Sequence, residues 1–113
     1  MELRTDEAGP TTVVAVFGDV DLATAPQLRQ HLSDLVGRGC ARLAVDLKAT
    51  DFLDSSGLSA LVSGLKRARA AGGDLVLVCP PGRIRRLLEV VALDQVFSVY
   101  PDLADLPAMP EPI

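Results

Sequence analysis

The fold class is decided by the stretch Leu75-Val76-Leu77-Val78. All four side chains are apolar, so both alternating faces of a strand at this place need to be covered. Such strands are typical of parallel sheets, in which helical crossover connections cover both faces. Asp74 opens the stretch and Pro80-Pro81 ends it, since proline cannot continue a hydrogen-bonded ladder. We therefore predict a strand of an α/β domain that helices cover on both sides.

The flanking segments alternate between strand and helix patterns. Thr11 to Phe17 is a β-branched run typical of a central strand, and Arg42 to Leu47 shows strand alternation. Apolar residues at helical spacing predict three helices, marked by Leu28, Leu32, Leu35 and Val36, then by Leu58, Leu61, Val62 and Leu65, then by Ile84, Leu87, Leu88 and Val91. A short edge strand at 2–8 and a last strand at 96–100 complete the predicted order β-β-α-β-α-β-α-β. Thr24-Ala25-Pro26-Gln27 is typical of a capping box before the first helix.

The length of 113 residues suits one domain. The predicted architecture is a single α/β sandwich with a largely parallel sheet of four to five strands and three to four helices. Four prolines after residue 100 disfavour further regular structure, apart from one helical turn at 102–106. We predict a domain over residues 1–106 and a proline-rich tail over 107–113.

Charge and hydropathy exclude several classes of partner. Eleven Lys and Arg against 15 Asp and Glu give a net charge of −4 with no basic stretch, which argues against nucleic acid or an anionic membrane surface. The longest apolar runs have five residues, far short of the roughly 20 needed to span a bilayer. The acidic first residues do not resemble a secretory signal, so we expect a cytoplasmic chain. Cys40 and Cys79 lack metal or redox spacing and are expected to be small buried side chains.

The sequence offers little support for catalysis. Candidate nucleophiles are Ser55, Ser56, Ser59 and Ser63, but no Gly-x-Ser-x-Gly elbow surrounds them, and the one histidine, His31, lies on the flank of the first helix. Neither of the two common nucleotide-binding glycine loops occurs. We therefore expect no enzyme, no cofactor and no bound metal. A divalent ion held by loop carboxylates stays a less favoured alternative, with Asp19, Asp21, Asp46, Asp51 and Asp54 as its candidates.

The most unusual motif is Asp54-Ser55-Ser56-Gly57, which stands directly before the second amphipathic helix. Either Asp54 or Ser55 can cap this helix by accepting a backbone N–H hydrogen bond, and Ser55 is predicted to be better placed for this than Ser56. Ser56, in the first turn, would then point outward. Helix capping alone is an alternative explanation for the whole motif.

Together with its surroundings, the motif resembles the STAS domain family, and within it the bacterial anti-sigma factor antagonists that are regulated by serine phosphorylation. The resemblance covers about residues 2–100. The matching segments are Gly18-Asp19-Val20-Asp21, Thr24-Ala25-Pro26, Val45-Asp46-Leu47, Asp51 to Leu58, and Pro81 with the helix and strand behind it. The family fold implies a mixed sheet, since its first strand pairs antiparallel. One departure is the absence of the longer amphipathic C-terminal helix that many members have.

The resemblance implies a phosphorylation switch. Ser56, the second serine of the motif, would accept phosphate from an anti-sigma factor that is also a serine kinase. The predicted partner-binding residues are Asp21, Asp54, Ser55, Ser56 and Gly57. The unmodified form would bind the anti-sigma factor and free a sigma factor, and a separate serine phosphatase would restore Ser56. Two alternatives remain open: a STAS interaction or sensory module in a larger signalling assembly, and, more remotely, a small serine hydrolase.

Overall fold

The computed structural model of the protein describes residues 1–107, and within them three α-helices pack on a mixed sheet of six strands. The strands are β1 (Glu2–Ala8), β2 (Thr11–Val20), β3 (Arg42–Asp46), β4 (Thr50–Leu53), β5 (Asp74–Val78) and β6 (Val99–Tyr100). The helices are α1 (Ala25–Gly37), α2 (Ser55–Ala70) and α3 (Arg83–Val90), and two 3₁₀ turns lie at Leu93–Gln95 and Leu103–Asp105. The predicted α/β class is confirmed.

The sheet is mostly parallel, with one antiparallel edge. β1 and β2 form a hairpin that runs from Glu2 opposite Phe17 to Ala8 opposite Thr11. The order across the sheet is β1-β2-β3-β5-β6, and the strand pairs after the hairpin are parallel. The chain therefore crosses over one face of the sheet between successive parallel strands, and α1 and α2 occupy these crossovers.

The main core lies between the sheet and the helices. Each helix contributes a fully buried leucine to it, namely Leu28 from α1, Leu61 from α2 and Leu88 from α3. On the sheet side, Leu75 and Leu77 of β5, which lies between β3 and β6, belong to the same cluster. Burial of these side chains is the main source of stability, at roughly 1.5–3 kcal/mol for each leucine.

The opposite face of the sheet is covered differently from the prediction. Val76 lies there in a second buried cluster with Val13 and Ala44. The partly buried side chains that pack on this cluster are Tyr100, at the end of β6, and Leu106, after the last 3₁₀ turn. In residues 1–107 the second face is thus covered by the C-terminal segment, whereas the sequence pattern predicted helices on both faces.

Strand β4 is absent from the predicted order and brings the sheet to one strand more than the predicted maximum of five. It pairs in parallel with the end of β2, where Gly18 lies opposite Thr50 and Val20 opposite Leu53. The hydroxyl of the buried Thr50 donates a hydrogen bond to the Val16 carbonyl at 2.9 Å. Four residues are too few to show a period, so only the pairing with β2 defines this strand.

The C-terminal part agrees with the prediction only in outline. The last strand begins at Val99 rather than Val96, because the amides of Val96 and Phe97 bond back to the Leu93 carbonyl in a helical turn. The predicted turn at 102–106 is observed as the 3₁₀ turn at Leu103–Asp105. The predicted tail lies outside the described residues except for Pro107. Within residues 1–107, no helix is both long enough and apolar enough to cross a membrane.

We expect Thr50→Val to lower the free energy of unfolding by about 1 kcal/mol, the usual contribution of one hydrogen bond. The substitution keeps the side-chain shape and removes only the donor to Val16. Thermal unfolding followed by circular dichroism should show a midpoint lower by about 4–8 °C. Thr12→Val is the matched control, since Thr12 is equally buried on β2 and the described residues show no hydrogen bond from its hydroxyl. Equal midpoints for the two variants would contradict this role of Thr50.

Candidate functional site

The candidate site lies where β2 and β4 end side by side. The Asp54 amide donates a hydrogen bond to the Val20 carbonyl at 3.2 Å, so the chain leaves both strands at the same edge of the sheet. From there one segment leads through Asp21 into α1, and the other leads through Asp54 into α2. Two of the sequence-predicted site residues, which are 33 positions apart in the chain, are thereby brought together.

Asp54 caps helix α2. Its carboxylate accepts hydrogen bonds from the amides of Ser56 at 2.9 Å and Gly57 at 3.1 Å, which satisfies two amides that otherwise lack partners at a helix start. Of the two predicted caps, Asp54 is the one observed, whereas Ser55 is already the first helical residue and its side chain is exposed. With the cap supplied by Asp54, the half-buried Ser56 is free of this structural task.

Gly57 is buried against the ends of both strands. A Cβ atom built on it would stand 2.5 Å from Leu53 Cδ1 and 3.0 Å from both the Cγ1 atom and the carbonyl oxygen of Val20. Only a residue without a side chain lets α2 approach the sheet this closely. The contribution of Gly57 to this end of the molecule is therefore close packing, which holds Ser56 in place.

Asp21 folds back on the approach to α1. Its carboxylate accepts hydrogen bonds from the amides of Ala23 and Thr24 and from the Thr24 hydroxyl at 3.0–3.1 Å. The hydrogen bonds from Thr24, first from its hydroxyl and then from its amide, lower the pKa of the Asp21 carboxyl below its ordinary value. Asp21 thus shapes the turn before α1 and also stands at the predicted partner surface.

The predicted capping box at Thr24 is wrong. The Thr24 side chain makes no capping hydrogen bond to α1. Its hydroxyl instead accepts from the Asp21 amide at 2.9 Å and shares its proton between the Asp19 carbonyl and the Asp21 carboxylate. The local sequence could not reveal this, because Thr24 turns towards the end of β2 rather than towards its own helix.

A groove of about 510 Å³ separates the first turns of α1 and α2. Both serines of the motif line it, and so does Ser59 in the next turn of α2. The hydroxyl of Ser59 accepts a hydrogen bond from Arg29 Nη2 of α1 at 3.1 Å, which joins the two walls. The residues that line the groove are Leu22, Ala25, Pro26, Arg29, Gln30, Ser55, Ser56 and Ser59.

Two exposed apolar side chains, Leu22 and Phe52, belong to this end of the sheet, and sequence reasoning missed both. Leu22 follows Asp21 at the rim of the groove and is 78% exposed. Phe52, on β4 opposite Asp19 of β2, is 50% exposed. Large apolar groups that face solvent near a polar cluster are typical of protein-binding surfaces. In the sequence, Leu22 directly follows Asp21 and Phe52 lies two positions before Asp54, and this closeness to the predicted site residues could have identified them.

The structure separates the groups that a serine hydrolase needs. The His31 ring pairs through Nε2 with the Thr5 hydroxyl of β1 at 2.7 Å, and its cavity is lined by β1 and the middle of α1 rather than by the serines. Asp51 likewise lies on a different cavity, formed with Pro81 and the start of α3.

Within residues 1–107, no three His, Cys, Asp or Glu side chains are grouped so that they could hold a metal ion. Burial raises the pKa of the Cys79 thiol, which opposes formation of a reactive thiolate.

The site as a whole is a groove with exposed apolar and acidic side chains around it, presented by a small mixed-sheet α/β sandwich. The STAS domain model matches residues 2–106, and the chain belongs to the STAS domain family. The predicted family is thus confirmed.

Individual relatives agree with this family. An anti-sigma-B factor antagonist of Bacillus subtilis is 33% identical over 86 residues, which cover 76% of this chain and 78% of the relative. An anti-sigma F factor antagonist of Paenibacillus polymyxa is 29% identical over 91 residues, covering 78% and 76% respectively. The crystal structure of an anti-sigma factor antagonist from Mycobacterium paratuberculosis superimposes with a TM-score of 0.83 at 31% identity, covering 92% of this chain and 88% of that one.

We expect Gly57→Ala to lower the free energy of unfolding by about 1–3 kcal/mol, the usual cost of overpacking a core. The added methyl group meets Leu53 and the Val20 backbone, which cannot both move aside. Denaturant unfolding would measure the loss. Gly37→Ala is the control, because a Cβ atom at this helical glycine would have no neighbour within 4 Å. If both variants were as stable as the parent, the close approach of α2 to the sheet would not depend on Gly57.

We expect the hydrogen bonds of Asp21 to give a stability contribution that depends on pH. Because the carboxyl pKa is lowered from 3.8 in the folded state, this contribution is fully present above that value and is lost as the pH falls through the folded pKa. Asp21→Asn keeps an acceptor oxygen but cannot titrate. Its melting temperature should lie below that of the parent at pH 7, and the difference should close as the pH falls through the folded pKa. A difference for Asp21→Asn that is independent of pH would contradict the assignment.

Proposed function

We propose that this protein is an anti-sigma factor antagonist that binds an anti-sigma factor through the surface around Asp21, Leu22 and Ser56. The single observation that carries the proposal is the separation of roles at the start of α2, where Asp54 caps the helix and leaves Ser56 at the groove. The relatives from Bacillus subtilis and Paenibacillus polymyxa are named as anti-sigma factor antagonists, which supports the same role here. Binding of the anti-sigma factor would free the sigma factor that it otherwise holds.

The exposed apolar groups explain how such a surface would gain affinity. Leu22 and Phe52 lose little by burial against a partner and gain the transfer free energy of their apolar area, about 25 cal/mol per Å². Asp21 and Asp54 follow the ends of β2 and β4 and give this surface a negative charge, which suits a partner with basic residues around an apolar centre. The partner-binding roles of Asp21, Asp54, Ser55, Ser56 and Gly57 remain predictions of this proposal.

Phosphorylation of Ser56 would end the binding. In this step the Ser56 hydroxyl oxygen attacks the γ-phosphorus of ATP held by the partner kinase, the bond from that phosphorus to the bridging oxygen breaks, and ADP leaves. The hydroxyl proton goes to a base of the kinase. The product carries a charge of about −1.5 to −2 at neutral pH.

The physical effect of that charge falls on the interface rather than on the fold. A phosphate in the first turn of α2 stands at the positive end of the helix dipole, so the domain tolerates it. It would fill part of the groove and add to the negative charge of Asp21 and Asp54. A partner that packs closely on the unmodified surface would then meet steric obstruction and the cost of taking a dianion out of water.

On this proposal the chain is a substrate and not an enzyme. ATP binding and phosphoryl transfer belong to the kinase, and a serine phosphatase would return Ser56 to its free form. The placement of His31 away from the serines supports this division of labour. All three proteins would meet in the cytoplasm, where ATP is available.

We expect the cognate kinase and ATP to add one phosphate to the protein, and fragment mass spectrometry to locate it on Ser56. Ser56→Ala should stay folded and unlabelled, since Asp54 supplies the cap. Ser55→Ala is the matched control: it removes the neighbouring hydroxyl of the same groove and should be labelled like the parent. In calorimetry, the labelled protein should bind the anti-sigma factor more weakly than the unlabelled one.

Three results would contradict the proposal. Label on Ser55 or Ser59 alone would move the switch to another residue. Equal affinity of the labelled and unlabelled forms would leave an interaction module without a phosphorylation switch. Ester hydrolysis by the purified chain that is lost in Ser56→Ala would favour the hydrolase.

A further inference from the structure

We propose that Arg29 of α1 receives the phosphate group of phosphorylated Ser56. This inference rests on the proposed function and names a residue that holds the switch in its modified state. Arg29 Nη2 already donates to the hydroxyl of Ser59 at 3.1 Å across the groove. Ser59 follows Ser56 by three positions on α2, so both side chains lie on one helix face, about 4.5 Å apart along the axis. The guanidinium group therefore stands within one helical turn of the Ser56 side chain.

The helix start itself offers the phosphate fewer donors than an uncapped helix would. The Asp54 carboxylate already occupies the amides of Ser56 and Gly57, which are two of the groups that bind anions at helix starts. A phosphate on Ser56 needs other donors to hold it in one position. Among the side chains that line the groove in the described part of the chain, only that of Arg29 carries a charge.

The present partner of Arg29 is a weak competitor. A hydrogen bond from a guanidinium to a neutral hydroxyl lacks the second charge that a phosphate supplies, so it is weaker than an arginine–phosphate pair. The guanidinium can also donate two parallel hydrogen bonds to a phosphate, which Ser59 cannot accept. Because Ser59 is exposed, water replaces Arg29 at its hydroxyl without a burial cost. Rotation of the arginine side chain from Ser59 to phosphorylated Ser56 is thus favoured.

The pairing has two consequences for the switch. It holds the phosphate across the groove, between the first turns of α1 and α2, where a close-packed partner would have to enter. It also stabilises the dianion over the monoanion, since the positive charge of Arg29 favours the deprotonated form. The pKa of the second phosphate ionisation, near 6 for a free phosphoserine, is therefore lower with Arg29 present than it would be beside Asp21 and Asp54 alone.

The test installs phosphoserine at position 56 during translation, so it does not depend on any kinase. Titration of the phosphorus-31 chemical shift against pH measures the second pKa in the phosphorylated parent and in the same protein carrying Arg29→Gln. We expect the pKa in the parent to be lower by about half a unit, the size given by an exposed ion pair of a few tenths to 1 kcal/mol. Arg29→Lys keeps the positive charge but loses the paired N–H donors of the guanidinium group. Its phosphate pKa should lie between those of the parent and of Arg29→Gln.

Arg67→Gln is the matched control. Arg67 is exposed on the same helix, and 11 residues along α2 correspond to about 16 Å, twice the screening length at physiological salt. Its removal should leave the phosphate pKa at the parent value. Equal pKa values for the parent and Arg29→Gln would overturn the inference.

The outcomes also separate this inference from the proposed function. If the kinase labels Ser56 and weakens binding while Arg29→Gln leaves the phosphate pKa unchanged, the proposed function is supported and Arg29 does not bind the phosphate. If the pKa depends on Arg29 but no kinase labels Ser56, the arginine pairing stands and the proposed function fails.

Discussion

The structure around Ser56 depends on one junction, in which the amide of Asp54 bonds to the carbonyl of Val20 while the Asp54 side chain caps α2. The first bond fixes where the helix begins relative to the sheet. The second fixes its direction, because the capped amides must face the carboxylate. Gly57 completes the junction, since any side chain there would push α2 away from Val20. Together these constraints place Ser56 at the edge of the groove with little freedom to move.

This arrangement separates stability from signalling. The residues that hold the helix start are a carboxylate and a glycine, and the residue assigned to the switch is a hydroxyl that neither caps nor packs the core. A covalent charge can therefore be added or removed without a large change in the free energy of unfolding. The turn before α1 shows the same separation of roles. Asp21 is held by hydrogen bonds from Thr24, and Leu22 next to it faces solvent. A rigid scaffold with exposed apolar groups is well suited to reversible binding.

The charges at this end of the molecule are unevenly distributed. Asp21 and Asp54 follow the strand ends, and Arg29 stands on the other side of the groove at the second turn of α1. In the unmodified state the guanidinium joins the two helices through Ser59. The same side chain is also the nearest compensating charge for an anion on α2. The groove thus combines a binding surface with its own counter-charge, which limits the internal repulsion that a phosphate would cause.

The sequence by itself determined the α/β class, the helical stripes and the position of the serine motif, because these depend on periodicity and on residues adjacent in the chain. Only the tertiary structure decided which group caps α2, where Thr24 directs its hydroxyl, that β4 is a strand and that helices cover a single face of the sheet. The pairing of β4 and the covering of the sheet are contacts between segments distant in sequence. The Asp54 cap and the Thr24 hydroxyl are local choices among several donors and acceptors, which periodicity does not decide. Arg29 and Ser59 are 30 positions apart, and they meet because the parallel pairing of β2 and β4 starts α1 and α2 at the same edge of the sheet. The periodicity of one element carries no information about the register of another, and register is what assembles the site.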